Sequence, residues 1–184
     1  MDEVLPKVAK SDRTFFIDLA DPEKRKPGDI RQALKTIAEF EKYFDVILGL
    51  NEKEAHEIGD ALGLQATGKS PDALSALALE INRLVPVNTL VIHPVSYALA
   101  ASNGLVSVVQ GPFTPKPVIT TGAGDHFNSG FCLGKLLGLD NAQCVLTGVT
   151  TSGHYVRTAQ SPGISDLAKL LRSWPEASDT SYSV

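Results

Sequence analysis

The chain has 184 residues, 43% of them hydrophobic and 21% charged, with a formal net charge of −4. That length can bury a core as one domain, and the acidic balance gives no electrostatic support to nucleic-acid or membrane-surface binding. No apolar run approaches the length needed to cross a bilayer, and the acidic start Met1-Asp2-Glu3-Val4 does not read as a signal peptide.

In chain order, Thr14–Asp18 is a short apolar run that ends in a carboxylate and predicts a buried strand. A charged, proline-bearing loop follows, and Ile30, Leu34, Ile37, Phe40 and Phe44 recur at helical spacing. Asp45–Leu50 predicts a second strand, and Asn51 opens a helix to about Leu62. Ser70 and Pro71 start the next helix, which runs to about Leu84. Thr89–His93 predicts a third strand. Tyr97–Ala101 and Leu105–Gln110 flank Asn103-Gly104, a hairpin turn. Helices are then expected over Asp125–Leu137, from the Asp140 cap to Thr158, and from the Ser165 cap to Arg172. Cys132 and Cys144 fall in predicted helices and read as reduced core thiols of a cytoplasmic protein.

Strands alternating with helices predict an α/β sheet, mostly parallel with an antiparallel hairpin. In such sheets ligands collect beyond the carboxyl ends of the strands. Asp18 and Asp21, after the first strand, either hydrogen-bond a polyol or form ordinary Asp-Pro turn chemistry. After the second strand, Asn51 and Glu54 share one helix face. They offer oxygens, direct or through water, to a hard cation such as Mg²⁺; the same spacing also makes a capping box. His93, after the third strand, could reach a phosphate, although a lone His is more often structural.

The richest stretch is Thr120-Thr121-Gly122-Ala123-Gly124-Asp125-His126-Phe127-Asn128-Ser129-Gly130. A glycine turn stands against a helix start, so the amides of Ala123, Gly124 and Asp125 are placed to face an anion. Asp125 beside them could take a proton from an attacking hydroxyl. An anion cradle with an adjacent base suits phosphoryl transfer to an alcohol. Phe127 is expected to pack under the turn, and Asn128 to face substrate or solvent. Gly63–Ser70 also satisfies a P-loop pattern on paper, but a P-loop follows a strand and Glu52–Leu62 reads as a helix. There Gly63 is expected to end one helix and Ser70 to cap the next.

Thr121, Gly122, Ala123, Gly124, Asp125, Phe127 and Gly130 together resemble the C-terminal signature of the PfkB, or ribokinase-like, carbohydrate kinases, with Ile119 where that family usually has Asp. Asn51 and Glu54 match the family's N-x-x-E motif, and Asp18, Asp21 and Arg25 loosely resemble its D-x-N-x-R stretch. The sequence departs from the family at His93–Ala98, where a T-x-G-x-x-G pattern is usual, and at Thr158-Ala159-Gln160-Ser161, where small residues are.

The resemblance implies a three-layer ribokinase-like sheet, incomplete on its N-terminal side. Residues 1–173 would be the nucleotide- and phosphate-side portion of a kinase domain, with 174–184 a flexible tail. It implies ATP-dependent transfer to a hydroxyl of a sugar or sugar-like substrate. Asp125 would be the general base, and Gly122, Ala123 and Gly124 the anion hole. Asn51, Glu54, Thr121 and His93 would lie on the nucleotide side, with Asn51 and Glu54 organising Mg²⁺ through water and Asn128 on the substrate side. The sugar-selecting segments would lie upstream, so the isolated chain is expected to be inactive and to self-associate or seek its missing portion. The alternatives are a non-catalytic nucleotide- or anion-binding module, a piece of a split kinase, or a non-kinase α/β enzyme that uses Asp125 differently.

Overall fold

A computed structural model describes residues 5–7, 13–65 and 67–174. The expected flexible tail, apart from Trp174, lies outside the described residues. The chain packs as two compact units, one reaching to Ile92 and including Leu99–Val106, the other comprising His93–Ala98 and the chain from Ser107 onward.

The sheet has five strands in sequence order. Three are parallel: β1 (Thr14–Asp18), β2 (Asp45–Leu50) and β3 (Thr89–Ile92), with Phe15 opposite Val46 and Ile47 opposite Thr89. β4 (Tyr97–Ser102) runs antiparallel to β3, with Val91 opposite Ala100, and β5 (Leu105–Gln110) closes the order. Asn103 and Gly104 turn this hairpin with φ of 51° and 75°, the left-handed pair that a two-residue turn needs. The mixed sheet is therefore as the strand pattern predicts, except that β1, expected to be buried, lies at the end of the strand order and is only partly covered. β2 and β3 are buried along almost their whole length because both have paired neighbours, which explains their unbroken apolar runs.

In the first unit, α1 (Pro27–Glu39) starts three residues before the predicted Ile30 because Pro27 suits a first helical position, where no amide is needed. Its predicted last turn is instead a 3₁₀ turn, Phe40–Lys42. There Phe40 and Phe44 pack on Phe15 with ring centroids 5.1 and 5.5 Å away. α2 (Glu52–Ala61) ends as expected at Gly63, whose φ is 79°, with the Leu64 amide reaching back to Gly59 O at 2.9 Å. Ser70 Oγ accepts from Ala73 N and caps α3 (Pro71–Leu84). The Gly-Lys-Ser triplet thus follows a helix, not a strand, and is no P-loop.

In the second unit, α4 (Ala123–Leu136), α5 (Asn141–Thr158) and α6 (Ile164–Arg172) follow one another. α6 begins on Gly163, whose amide donates to Asp166 at 2.9 Å, so the predicted Ser165 cap is replaced by a residue two positions earlier. α4 and α5 approach closely through glycines, and around them Phe127, Phe131, Cys144, Val145 and Val149 form the core of this unit. Burial pushes the Cys132 and Cys144 thiols up, which fits their expected place among apolar side chains. Among the described residues no helix is long and apolar enough to cross a membrane.

Candidate phosphate and nucleotide site

The glycine turn of the second unit is built as its residues require. Gly122 has φ of 87°, and a Cβ there would meet the Tyr155 hydroxyl at 3.3 Å, so both backbone angle and space demand glycine. The Ala123 amide is already used, donating to Thr120 O at 3.1 Å. That corrects the expected donor set. The amides of Gly124 and Asp125, with no main-chain acceptor among the described residues, remain at the positive end of α4. Asp125 is solvent-exposed in the first helical turn, and its carbonyl accepts from Ser129 Oγ at 2.8 Å.

His93 comes to the same place. Its ring stacks on Phe127 with centroids 4.8 Å apart, and its Cε1 would lie 3.3 Å from a Cβ on Gly124. A side chain at position 124 would thus need His93 to shift by a few tenths of an ångström. Together with Tyr97, Phe113 and Val149 these residues line a cavity of about 230 Å³ that reaches Thr120, Ala123 and Gly124. Its walls are apolar and partly aromatic, and its rim is the glycine turn. That combination suits a planar base with an anionic tail. Phe127 is buried under the turn as expected, whereas Asn128 has its Oδ1 closed off from solvent and does not present that atom to a dissolved ligand.

Asn51 and Glu54 belong to the first unit, and there both readings of their spacing bear on the geometry. Asn51 Oδ1 accepts from Glu54 N at 2.9 Å, and Glu54 Oε2 accepts from Asn51 N at 2.8 Å, a complete capping box. The other carboxylate oxygen accepts from Asp21 N at 2.9 Å, and Glu54 is only 4% exposed. Glu54 therefore ties the β1 loop to the start of α2. Direct metal ligation would compete with these bonds, so the pair fits a cation only through water. Asp21, Glu23 and Glu57 lie close enough to share an ion, but the Lys53 ammonium stands among them, 2.6 Å from Glu23 and 3.1 Å from Asp21. These hydrogen bonds, that of Glu23 first, raise the Lys53 pKa, while the Lys53 contact holds the Asp21 carboxyl below its usual value.

Two sets of residues escape a reading of the sequence. His126 bridges Gly122 O at 2.8 Å and Ser161 Oγ at 2.9 Å, and its ring lies on that of Tyr155. Arg157 donates to the carbonyls of Gly153, Pro112 and Phe113, which holds the 112–113 segment to α5. The only local signal for either was the position of His126 directly after Asp125.

Residues 1–174 match the family described as prokaryotic ketohexokinase. A ketohexokinase of Haloferax volcanii is 26% identical over 167 residues, 90% of this chain and 43% of that protein. The fold matches 2-dehydro-3-deoxygluconokinase of Thermotoga maritima at a TM-score of 0.64 and 22% identity, over 86% of this chain and 50% of that one. It matches ribokinase of the same organism at a TM-score of 0.64 and 19% identity, over 92% and 59%. The chain thus spans about half the length of these relatives. With the GAGD turn, the alternating strands and a family match over every described residue, the chain belongs to the prokaryotic ketohexokinase family, within the PfkB, ribokinase-like kinases.

Proposed function

We propose that this chain is the nucleotide- and phosphate-side portion of a ketohexokinase acting in the cytoplasm, and that a protein containing it transfers a phosphoryl group from ATP to a hydroxyl of a ketohexose. The observation that carries this is the head of α4, where the Gly124 and Asp125 amides, without a main-chain acceptor among the described residues, stand beside the exposed Asp125 side chain, and Ala123 and Gly124 line an apolar cavity. Bound ATP would supply the phosphoryl group, and Mg²⁺ would neutralise part of its charge.

The residues of this chain then act as follows. The cavity between His93, Phe127 and Val149 takes the base, so that His93 faces the nucleotide and Thr121 is assigned to the nucleotide side with it. Gly122 and Ala123 shape the turn, and Gly124 and Asp125 donate to the transferring group. Asp125 accepts the proton of the attacking hydroxyl. Asn51 and Glu54 organise water around the metal while keeping their capping box.

Since the chain spans 43% of the Haloferax volcanii relative, the chain by itself is read as a nucleotide binder without transfer. In-line transfer needs acceptor and donor held together in a water-poor site. Phosphoryl transfer from ATP to fructose and to a panel of other sugars, measured on the polypeptide that contains this chain, tests the reading. Preference for a ketohexose supports it, and absence of ATP-dependent transfer to any sugar overturns it.

A further inference from the structure

The GAGD turn is gripped by two side chains that none of the motif matches includes, His126 and Tyr155, with Ser161 behind His126. His126 Nδ1 lies 2.8 Å from Gly122 O, and His126 Nε2 lies 2.9 Å from Ser161 Oγ. The imidazole stacks on Tyr155 with centroids 3.6 Å apart and planes 10° from parallel. The Tyr155 hydroxyl in turn donates to Thr121 O at 3.1 Å and would meet a Cβ on Gly122 at 3.3 Å. Two successive carbonyls of the turn, those of Thr121 and Gly122, are therefore each held by a ring anchored on a helix. Carbonyl oxygen only accepts, so Nδ1 must carry a proton, and in the neutral ring Nε2 then accepts from the Ser161 hydroxyl.

We propose that His126 and Tyr155 form a clamp that sets the conformation of the Thr121–Asp125 turn, which makes His126 a positioning residue for the anion cradle and for Asp125. Gly122 stands in the left-handed region with φ of 87°, a conformation that glycine permits but does not enforce. Something else must hold it if the Gly124 and Asp125 amides are to stay aimed. A site of this kind works through prearranged donors, and small misplacement there is costly. His126 reaches the Gly122 carbonyl from one helical turn further along α4. Tyr155 reaches the preceding carbonyl from α5, and Ser161 ties the far side of the ring to the segment before α6. The functional half of this inference rests on the proposed anion cradle; the structural half does not.

The test uses the 184-residue chain with four substitutions, reading amide hydrogen exchange across 121–126 by NMR and affinity for ATP by calorimetry. Asn at position 126 can still place an amide N–H near Gly122 O, whereas Gln reaches only towards Ser161. His126→Ala and His126→Gln should speed exchange of the Ala123 and His126 amides and weaken ATP binding about threefold to tenfold, the size of effect that one lost hydrogen bond carries. His126→Asn should restore most of both. Tyr155→Phe keeps the stack and removes only the Thr121 contact, so it should show a smaller change in the same direction. This variant and His126→Asn carry the test if His126→Ala fails to fold. Equal exchange in every variant overturns the clamp. Faster exchange with unchanged ATP affinity overturns the positioning role. A parent chain that binds no ATP sinks the proposed function instead, and the exchange comparison still decides whether the clamp exists.

Discussion

At the scale of single residues, Asp125 and Glu54 are carboxylates used in opposite ways. Asp125 is solvent-exposed, as a base awaiting a substrate hydroxyl must be, and among the described residues its side chain makes no hydrogen bond or ion pair. Asp125→Asn in the protein containing this chain should lower phosphoryl transfer by about 10²–10⁴-fold, the usual cost of losing a general base. ATP binding should persist, because the cradle is main chain. Steady-state rates beside a binding titration check this, and transfer at the parental rate would remove Asp125 from the mechanism. Glu54 is buried, and each of its carboxylate oxygens takes a main-chain amide, from Asp21 and from Asn51. A glutamine offers one acceptor where two donors wait. Glu54→Gln should therefore destabilise the chain by about 1–3 kcal/mol, the cost of one unsatisfied buried donor, as read from urea unfolding. On the proposed function it should also raise the Mg²⁺ concentration needed for ATP binding. Loss of stability with superimposable Mg²⁺ titrations would leave the pair a capping box and nothing more.

At the scale of elements, the α4–α5 contact sets the site. A Cβ on Gly130 would lie 2.6 Å from Thr147 O, and one on Gly134 would lie 2.9 Å from the Cys144 backbone. A Cβ on Gly148 would lie 2.7 Å from the Phe127 ring, the same ring that supports His93. Backbone yields less than a side chain end, so Gly130→Ala must push the helices apart. We expect a loss of about 1–3 kcal/mol, typical of overpacking, measured by thermal or urea unfolding. Gly148→Ala should act partly by tilting Phe127. A Gly130→Ala chain as stable as the parent would show that the two helices are not locked in this spacing.

At the scale of the whole molecule, β1 and β5 are the ends of the strand order, and β5 exposes Leu105 and Val108. Phe15 and Phe16 on β1 are only half covered. Unpaired strand edges offer a row of free donors and acceptors to another chain. The isolated 184-residue chain should therefore form dimers or larger species as its concentration rises, read by size-exclusion chromatography with light scattering. A monomer throughout the concentration range would refute this.

What the amino-acid order determined was local. Apolar runs placed β2 and β3, since residues paired on both sides must be apolar throughout, the Asn103-Gly104 turn marked the β4–β5 hairpin, and caps such as Ser70 and Asp140 act within three residues of themselves. The glycine turn was legible for the same reason: Gly122, Gly124 and Asp125 are neighbours whose chemistry needs only a helix start. Glu54 was legible as far as its capping box, but its second bond, to Asp21, spans 33 residues and leaves no periodic trace. His126 finding Tyr155 and Ser161, Arg157 finding Pro112, and His93 stacking on Phe127 likewise join residues far apart in the chain. Only tertiary packing decided these, because a hydrogen bond or ring contact between distant residues is selected by the space left when helices meet, and no spacing rule along one element encodes it.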